Sequence, residues 1–312
     1  MHRILTAVVL LTLSSAAVAQ DLLLPRTLAE DVQVAPPVGS KKPDQTEPGD
    51  KYTKRQTDIV VPGDVLREED KVGPYRQPEW TQHRRFPSTR VYVQQPPGGV
   101  EFEQWFEIRI PKTHGKDNEV RIREEFEFGL GHRLQLDLYS IQEWSGNDNQ
   151  VNNTLEWRAI SAELRYAFAD WGEIFGNPTL YFEYILSNND ENKIEPKLLF
   201  GGEIASGWHW GLNLVYEREI GLYRDRTVEF KLSAGLSYSL IDTVLSAGVA
   251  METSYEAEYS KGSPTARTRE LLVGPSLQIR PVPKAHIDLE PLFGVTGQSK
   301  RMKMFIVFGW DF

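Results

Sequence analysis

The stretch Met302–Phe312, MKMFIVFGWDF, carries the clearest structural signal in the chain. Met302, Met304, Ile306, Phe308, Trp310 and Phe312 are apolar at a period of two, whereas Lys303, Phe305, Val307, Gly309 and Asp311 between them are mixed. A period of two is a β-strand with one uniformly apolar face. A strand that crosses a bilayer needs about 9–11 residues, an apolar outward side and aromatic residues at the interface. The segment meets all three demands.

The same alternation recurs toward the N-terminus. Twelve candidate strands follow one another: Phe102–Ile110, Glu119–Phe128, His132–Glu143, Thr154–Phe168, Thr179–Leu186, Ile194–Ala205, Trp208–Glu219, Thr227–Ser239, Thr243–Ser254, Thr268–Ile279, His286–Val295 and Met302–Phe312. If the last strand ends in the periplasm, the connections alternate between the two sides. Those on the outer side, such as Pro111–Asn118, Trp144–Asn153 and Tyr255–Arg267, are longer than Gly129–Gly131, Ser206–Gly207 and Leu240–Asp242 on the inner side. Long external loops and short periplasmic turns are the rule for membrane barrels. Ala169–Pro178 is the long exception among the inner turns, and its Trp171, Ile174 and Phe175 suit an interface. The fold class expected is all-β: a transmembrane antiparallel up-and-down β-barrel of about twelve strands, residues 101–312, with a mostly disordered N-terminal extension.

Alternation also assigns faces. Leu180, Phe182, Tyr184 and Leu186 face lipid, as do Val228, Phe230, Leu232, Ala234, Leu236 and Tyr238. The opposite face of strands five to eight carries Glu183, Glu195, Lys197, Glu203, Asn213, Glu217, Glu229 and Lys231, the candidate lumen lining. Charges there must be paired or hydrated, because desolvating each costs several kcal/mol. Two readings stay open: an ion-pair lattice that braces and seals the wall, or a hydrated, cation-favouring path. On the second strand Glu124 interrupts the apolar row Val120, Ile122, Phe126 and Phe128, through either an interfacial position or a β-bulge.

The N-terminal third reads differently. Met1–Ala19 has a short basic start, an apolar run from Ile4 to Leu13 and the small-residue site Ala17-Val18-Ala19, the pattern of a secretory signal peptide. Residues 20–100 are rich in Pro and lack periodicity, and Lys41–Lys54 is almost entirely polar, as in a largely disordered periplasmic linker. Val72–Val93 interleaves Arg76, Arg84, Arg85 and Arg90 with Tyr75, Trp80, Phe86 and Tyr92. Such a basic-aromatic segment suits a plug in an acidic lumen, or a contact with peptidoglycan or a partner.

Composition narrows the function classes. The mean hydropathy of -0.42 does not exclude a barrel, whose lipid-facing residues are hidden in alternation. A net charge of -9 argues against nucleic acid as a partner, and the absence of Cys removes a disulfide framework. The barrel histidines His114, His132, His209 and His286 lie in no hydrolase motif, and there is no G-x-S-x-G elbow, so no catalytic residue and no enzyme is expected. Asn147-Asp148-Asn149 and Asn188–Glu191 do not match a calcium loop. No metal and no cofactor is expected.

Two resemblances add to this. The C-terminal strand resembles the signature of bacterial outer-membrane barrels, which implies that Phe308, Trp310 and Phe312 are read by the barrel-assembly machinery. NPTLYFEYIL (Asn177–Leu186), EPKLLFGGEIA (Glu195–Ala205) and NLVYEREI (Asn213–Ile220) are similar to strands of the transporter barrels grouped with a phenol-degradation pathway family. That resemblance implies passage of a small solute, apolar ones included; the chain is expected to be a monomer in the outer membrane, among lipid and lipopolysaccharide. The competing expectations are a sealed structural scaffold and, well behind, a surface hydrolase.

Overall fold

The computed structural model describes residues 67–113, 117–146, 154–221, 226–261 and 263–312. They belong to one compact unit. Met1–Ala19, Lys41–Lys54, His114 and Asn147–Asn149 lie outside the described residues.

Two short 3₁₀ turns, Pro74–Arg76 and Glu79–Gln82, precede twelve strands. These are β1 (Val100–Ile110), β2 (Asn118–Gly131), β3 (Leu134–Gly146), β4 (Thr154–Ala167), β5 (Thr179–Ser187) and β6 (Asn192–Ala205), then β7 (Trp208–Ile220), β8 (Arg226–Ile241), β9 (Leu245–Ser260), β10 (Ser263–Val282), β11 (Ala285–Gly294) and β12 (Met302–Asp311). Each strand pairs antiparallel with its sequence neighbours, and β1 pairs with β12, closing the barrel. The closing register runs from Glu101 opposite Asp311 to Ile110 opposite Met302. Closure matters energetically, because it leaves no unpaired backbone edge for lipid to face. The outer wall exposes Leu180, Phe182, Leu186, Phe230, Phe308, Trp310 and Phe312. Such a continuous apolar face would be an aggregation liability in water and is the solvent-matched surface in a bilayer.

At one end the strands are joined by turns of two or three residues, 132–133, 206–207, 242–244 and 283–284. His132 and Arg133 both have positive φ, at 52° and 61°, which matches the right-handed twist of the flanking strands. The other end carries 111–117, 147–153, 188–191, 221–225 and 295–301. One expected loop there, Tyr255–Arg267, is instead a strand pair: β9 and β10 continue to Ser260 and Ser263. Residues 263–267 are solvent-exposed on both faces, so this part of the hairpin has no apolar side for alternation to reveal. At Glu124 the register is unbroken from Asn118 opposite Gly146 to Gly129 opposite Gln135, which removes the bulge. Glu124 stands on the outward face between Gln104 and Ser140.

The Pro-rich segment departs most from expectation. Over its described part, residues 67–99, it is no free linker, because Trp80, Phe86, Tyr92 and Val93 are almost completely buried. Arg67 donates to Ser206 Oγ at 2.6 Å and Gly207 N to Glu69 at 2.7 Å, at one short turn, while Gly98 N donates to Gly129 O at 2.7 Å beside another. The segment therefore enters and leaves the lumen at the short-turn end.

Candidate functional site

The lumen-facing glycines Gly201 (β6), Gly211 (β7) and Gly235 (β8) stand side by side in one row of the wall. A Cβ on Gly201 would lie 2.4 Å from Val91 Cγ1, and one on Gly235 2.4 Å from Phe86 Cδ1. Only glycine lets the inserted segment come this close. Phe86 and Val91 thus pack directly on bare backbone. Beside them Asn213 accepts from Arg90 N and donates to Arg90 O, both at 2.7 Å, and so grips the segment as another strand would.

Below this row the aromatics form a clasp. Trp80 meets Trp171 edge-on with ring centroids 5.5 Å apart, and Tyr92 meets Trp171 at 5.4 Å. Tyr92 Oη donates to Ala169 O at 2.7 Å, and Trp171 N donates to Tyr75 O at 2.8 Å. The long inner connection between β4 and β5 is accordingly a clamp on the plug.

Charge locks the other side. Glu103, Glu125, Glu127, Asp137 and Glu163 on β1 to β4 are all fully buried. Arg84 Nε donates to both oxygens of Glu103 at 2.8 and 3.0 Å, and Arg84 Nη2 to Glu127 at 2.9 Å. Arg90 reaches Glu125 at 2.8 Å and Glu127 at 3.0 Å. Arg165 of the wall pairs with Asp137 at 2.6 Å and with Glu163. Guanidinium forks suit this role, since each satisfies two carboxylates with several donors. His286 bridges Asp288 at 2.5 Å and Glu101 at 2.7 Å. Three of these carboxylate groupings are tight enough for a cation, but each already holds a basic side chain of the chain itself.

Two groups of the inserted segment have displaced proton affinities. Burial raises the Glu68 carboxyl, but Arg85 at 2.7 Å and a hydrogen bond from Ser239 outweigh it and leave it below the usual carboxylate range. Burial, then the nearby charges of Arg280 and His286, pushes His83 well below the usual imidazole range. Arg280 Nη2 donates to His83 Nε2 at 2.6 Å, which requires that nitrogen to be unprotonated.

Above the plug lies a cavity of about 130 Å³. Pro87, Ser88 and Arg90 line it from the inserted segment. Of the residues expected to line the lumen, Glu183, Glu195, Lys197, Asn213, Glu217 and Lys231 border this chamber, together with Arg109, Arg121, Arg123, Lys303, Glu107 and Glu252. Glu203 sits instead beside the clasp, accepting from Trp80 Nε1 at 2.6 Å. Glu229 lies 3.9 Å from Lys231. The chamber's cations are Arg90, Arg109, Arg121, Arg123, Lys197, Lys231 and Lys303, against Glu107, Glu183, Glu195, Glu217 and Glu252. With the plug seated its formal charge is +2, to which Arg90 of the plug contributes one. Glu103, Glu125, Glu127, Asp137 and Glu163 were not singled out by sequence. The available signal was the pair Glu125 and Glu127, which alternation puts opposite the apolar row of β2.

Several solved structures are similar to the chain. An outer-membrane channel from Pseudomonas putida F1 matches over 71% of this chain and 98% of its own, with 12% identity and a TM-score of 0.53. The chain folds as a bacterial outer-membrane β-barrel. The β domain of the Bordetella autotransporter BrkA covers 70% of this chain and 100% of its own at 8% identity and a TM-score of 0.48. The translocator domain of the autotransporter NalP from Neisseria meningitidis covers 70% and 91% at 13% identity, with a TM-score of 0.44. No protein-family model and no curated protein matches the chain. At these identities the likeness is one of fold.

Proposed function

We propose that this barrel is an outer-membrane channel for a small polar solute and that its own N-terminal segment closes it. The longer connections lie outside the cell and the short turns in the periplasm, as turn length in membrane barrels suggests. The plug then enters from the periplasm, and the charged chamber above it opens outward. Passage requires residues 67–99 to move. The observation that carries this reading is the seat of Phe86 and Val91 on the row Gly201, Gly211 and Gly235, where the segment covers bare wall that would otherwise line an open lumen. Monomer state, recognition of Phe308, Trp310 and Phe312 by the assembly machinery, and contact with lipopolysaccharide belong to the same reading.

A sealed scaffold is the second reading, and the paired charges favour it: Lys193 with Glu217 at 2.8 Å and Lys303 with Glu252 at 2.9 Å leave few free groups above the plug. A disulfide separates the two. A Cβ on Gly211 would lie 2.9 Å from Val91 Cγ2 and 3.0 Å from Thr89 Cγ2, so Gly211→Cys by itself loosens the seat while a bond to Thr89→Cys holds the segment in place, in a chain that has no other Cys. For a plugged channel, liposomes holding the double variant admit small solutes only after reduction. A scaffold admits none in either state.

A further inference from the structure

The outer wall separates charge in an unusual way at the long-loop end of β7 to β10. Glu217, Glu229, Glu256 and Glu270 point into the lumen there. The outward positions at the same level carry arginines. Arg218 on β7 is in line with Val228, Ala257 and Arg267 across the next three strands, and Tyr216 is in line with Phe230, Tyr255 and Arg269. Arg226 stands next to Tyr259 in the row above.

None of these four arginines pairs with a carboxylate among the described residues. Arg226 and Arg269 instead lie over the rings of Tyr259 and Tyr255, each at 5.4 Å. Arg218 Nε is shielded from solvent and has no hydrogen-bond partner. Immediately below, Leu198, Leu214, Tyr216, Phe230 and Leu232 border an outer groove of about 570 Å³. A charge on the lipid face is tolerated only near headgroup level, so this cluster marks the interface. Four guanidinium groups that meet no carboxylate among the described residues, above an apolar groove, are complementary to a lipid whose headgroup carries phosphate and whose acyl chains lie along the wall.

We infer that Arg218, Arg226, Arg267 and Arg269, with the groove beneath them, form a binding site for the phosphorylated headgroup of an outer-leaflet lipid of the lipid A type. The choice of leaflet rests on the orientation proposed above. Tyr255 and Tyr259 stack under the guanidinium planes and hold them outward. The groove takes an acyl chain.

The test uses the full-length protein in detergent and native mass spectrometry with three probes: bisphosphorylated lipid A, the same lipid with its phosphates removed, and phosphatidylglycerol. The bisphosphorylated lipid should bind at least tenfold tighter than either of the others. Arg218→Gln/Arg267→Gln/Arg269→Gln should lose that preference while still migrating as a folded, heat-modifiable barrel. The matching Lys triple should keep part of it. Equal binding of lipid A with and without phosphate, or an unchanged preference in the Gln triple, overturns the site. Equal or tighter binding of phosphatidylglycerol overturns lipid A as its occupant. A membrane-impermeant maleimide on Thr265→Cys in intact cells reads the orientation separately. Labelling without a lipid A preference rejects the site alone, and absence of labelling rejects the orientation.

Discussion

Phe86 lies against Gly235 so closely that a single methyl group on the glycine would overlap its ring, 2.4 Å from Cδ1. The contact joins residues 149 positions apart, and it is where the inserted segment meets the bare wall of the barrel.

Gly235→Val should therefore unseat the plug and spare the barrel. Valine suits a strand, and overpacking of this kind costs about 1–3 kcal/mol. That loss falls on the docked state, so the displaced population should rise by roughly 5- to 150-fold. Limited proteolysis reads it: cleavage within 67–99 should accelerate while the barrel band stays intact on a gel. Unchanged protection would mean that the contact does not hold the segment.

Arg90→Met should act through charge. It leaves Glu125 and Glu127 buried with one cation fewer, and removing one partner of a buried ion pair costs about 3–5 kcal/mol. Pairing it with Glu125→Gln should recover much of that loss in a double-mutant cycle of plug protection. Additive losses would count against the ion pair as the cause.

Acid should loosen the plug. His83 in place has a depressed proton affinity, whereas in a displaced segment it titrates near 6.5. The displaced state thus binds more protons below about pH 6.5, and docking weakens as pH falls, by up to about 1.4 kcal/mol per unit. Glu68, held low by Arg85, adds a loss of the same sign only at more acid pH, below its ordinary range. Protease access to residues 67–99 should rise roughly tenfold between pH 7.5 and 5.5. His83→Gln should flatten that step, and a step that persists in the variant would reject His83 as its source.

The open channel should prefer cations. Arg84 and Arg90 leave with the plug, so the chamber keeps six wall cations against five carboxylates, and Glu103, Glu125, Glu127, Asp137 and Glu163 below it keep Arg165. In a Gly235→Val background the reversal potential across a salt gradient should favour potassium over chloride. Glu125→Gln/Glu127→Gln should weaken that preference, because both carboxylates face the opened lumen. Chloride preference in Gly235→Val would mean that the chamber's wall cations set the selectivity.

Most of the barrel was legible in the sequence because lipid enforces strict alternation. Leu180, Phe182, Tyr184 and Leu186 could not vary freely without losing their match to the bilayer. Legibility failed where both faces of a strand meet water, as at the tip of β9 and β10 between Ser260 and Ser263. It failed again for the plug's seat. Gly201, Gly211 and Gly235 are unremarkable in their own strands and become a surface only through the register of three of them. Residues 67–99 announce themselves by Arg and aromatic content, but their partners are spread over the whole wall, from Glu103, 19 positions from Arg84, to Asn213 and Ser233, more than a hundred residues away. Local pattern carries no information about such pairings. Alternation places Asn213 on the lumen side, and its grip on Arg90 shows in the structure alone.

The most direct measurement is single-channel conductance in planar bilayers of the full-length protein beside Gly235→Val. The parent should be nearly silent or open only in brief steps, and the variant should show sustained openings that Thr89→Cys/Gly211→Cys, once oxidised, never shows. Silence from the variant with its plug demonstrably released, or steady conductance from the oxidised double-Cys protein, would contradict a channel gated by its N-terminal segment.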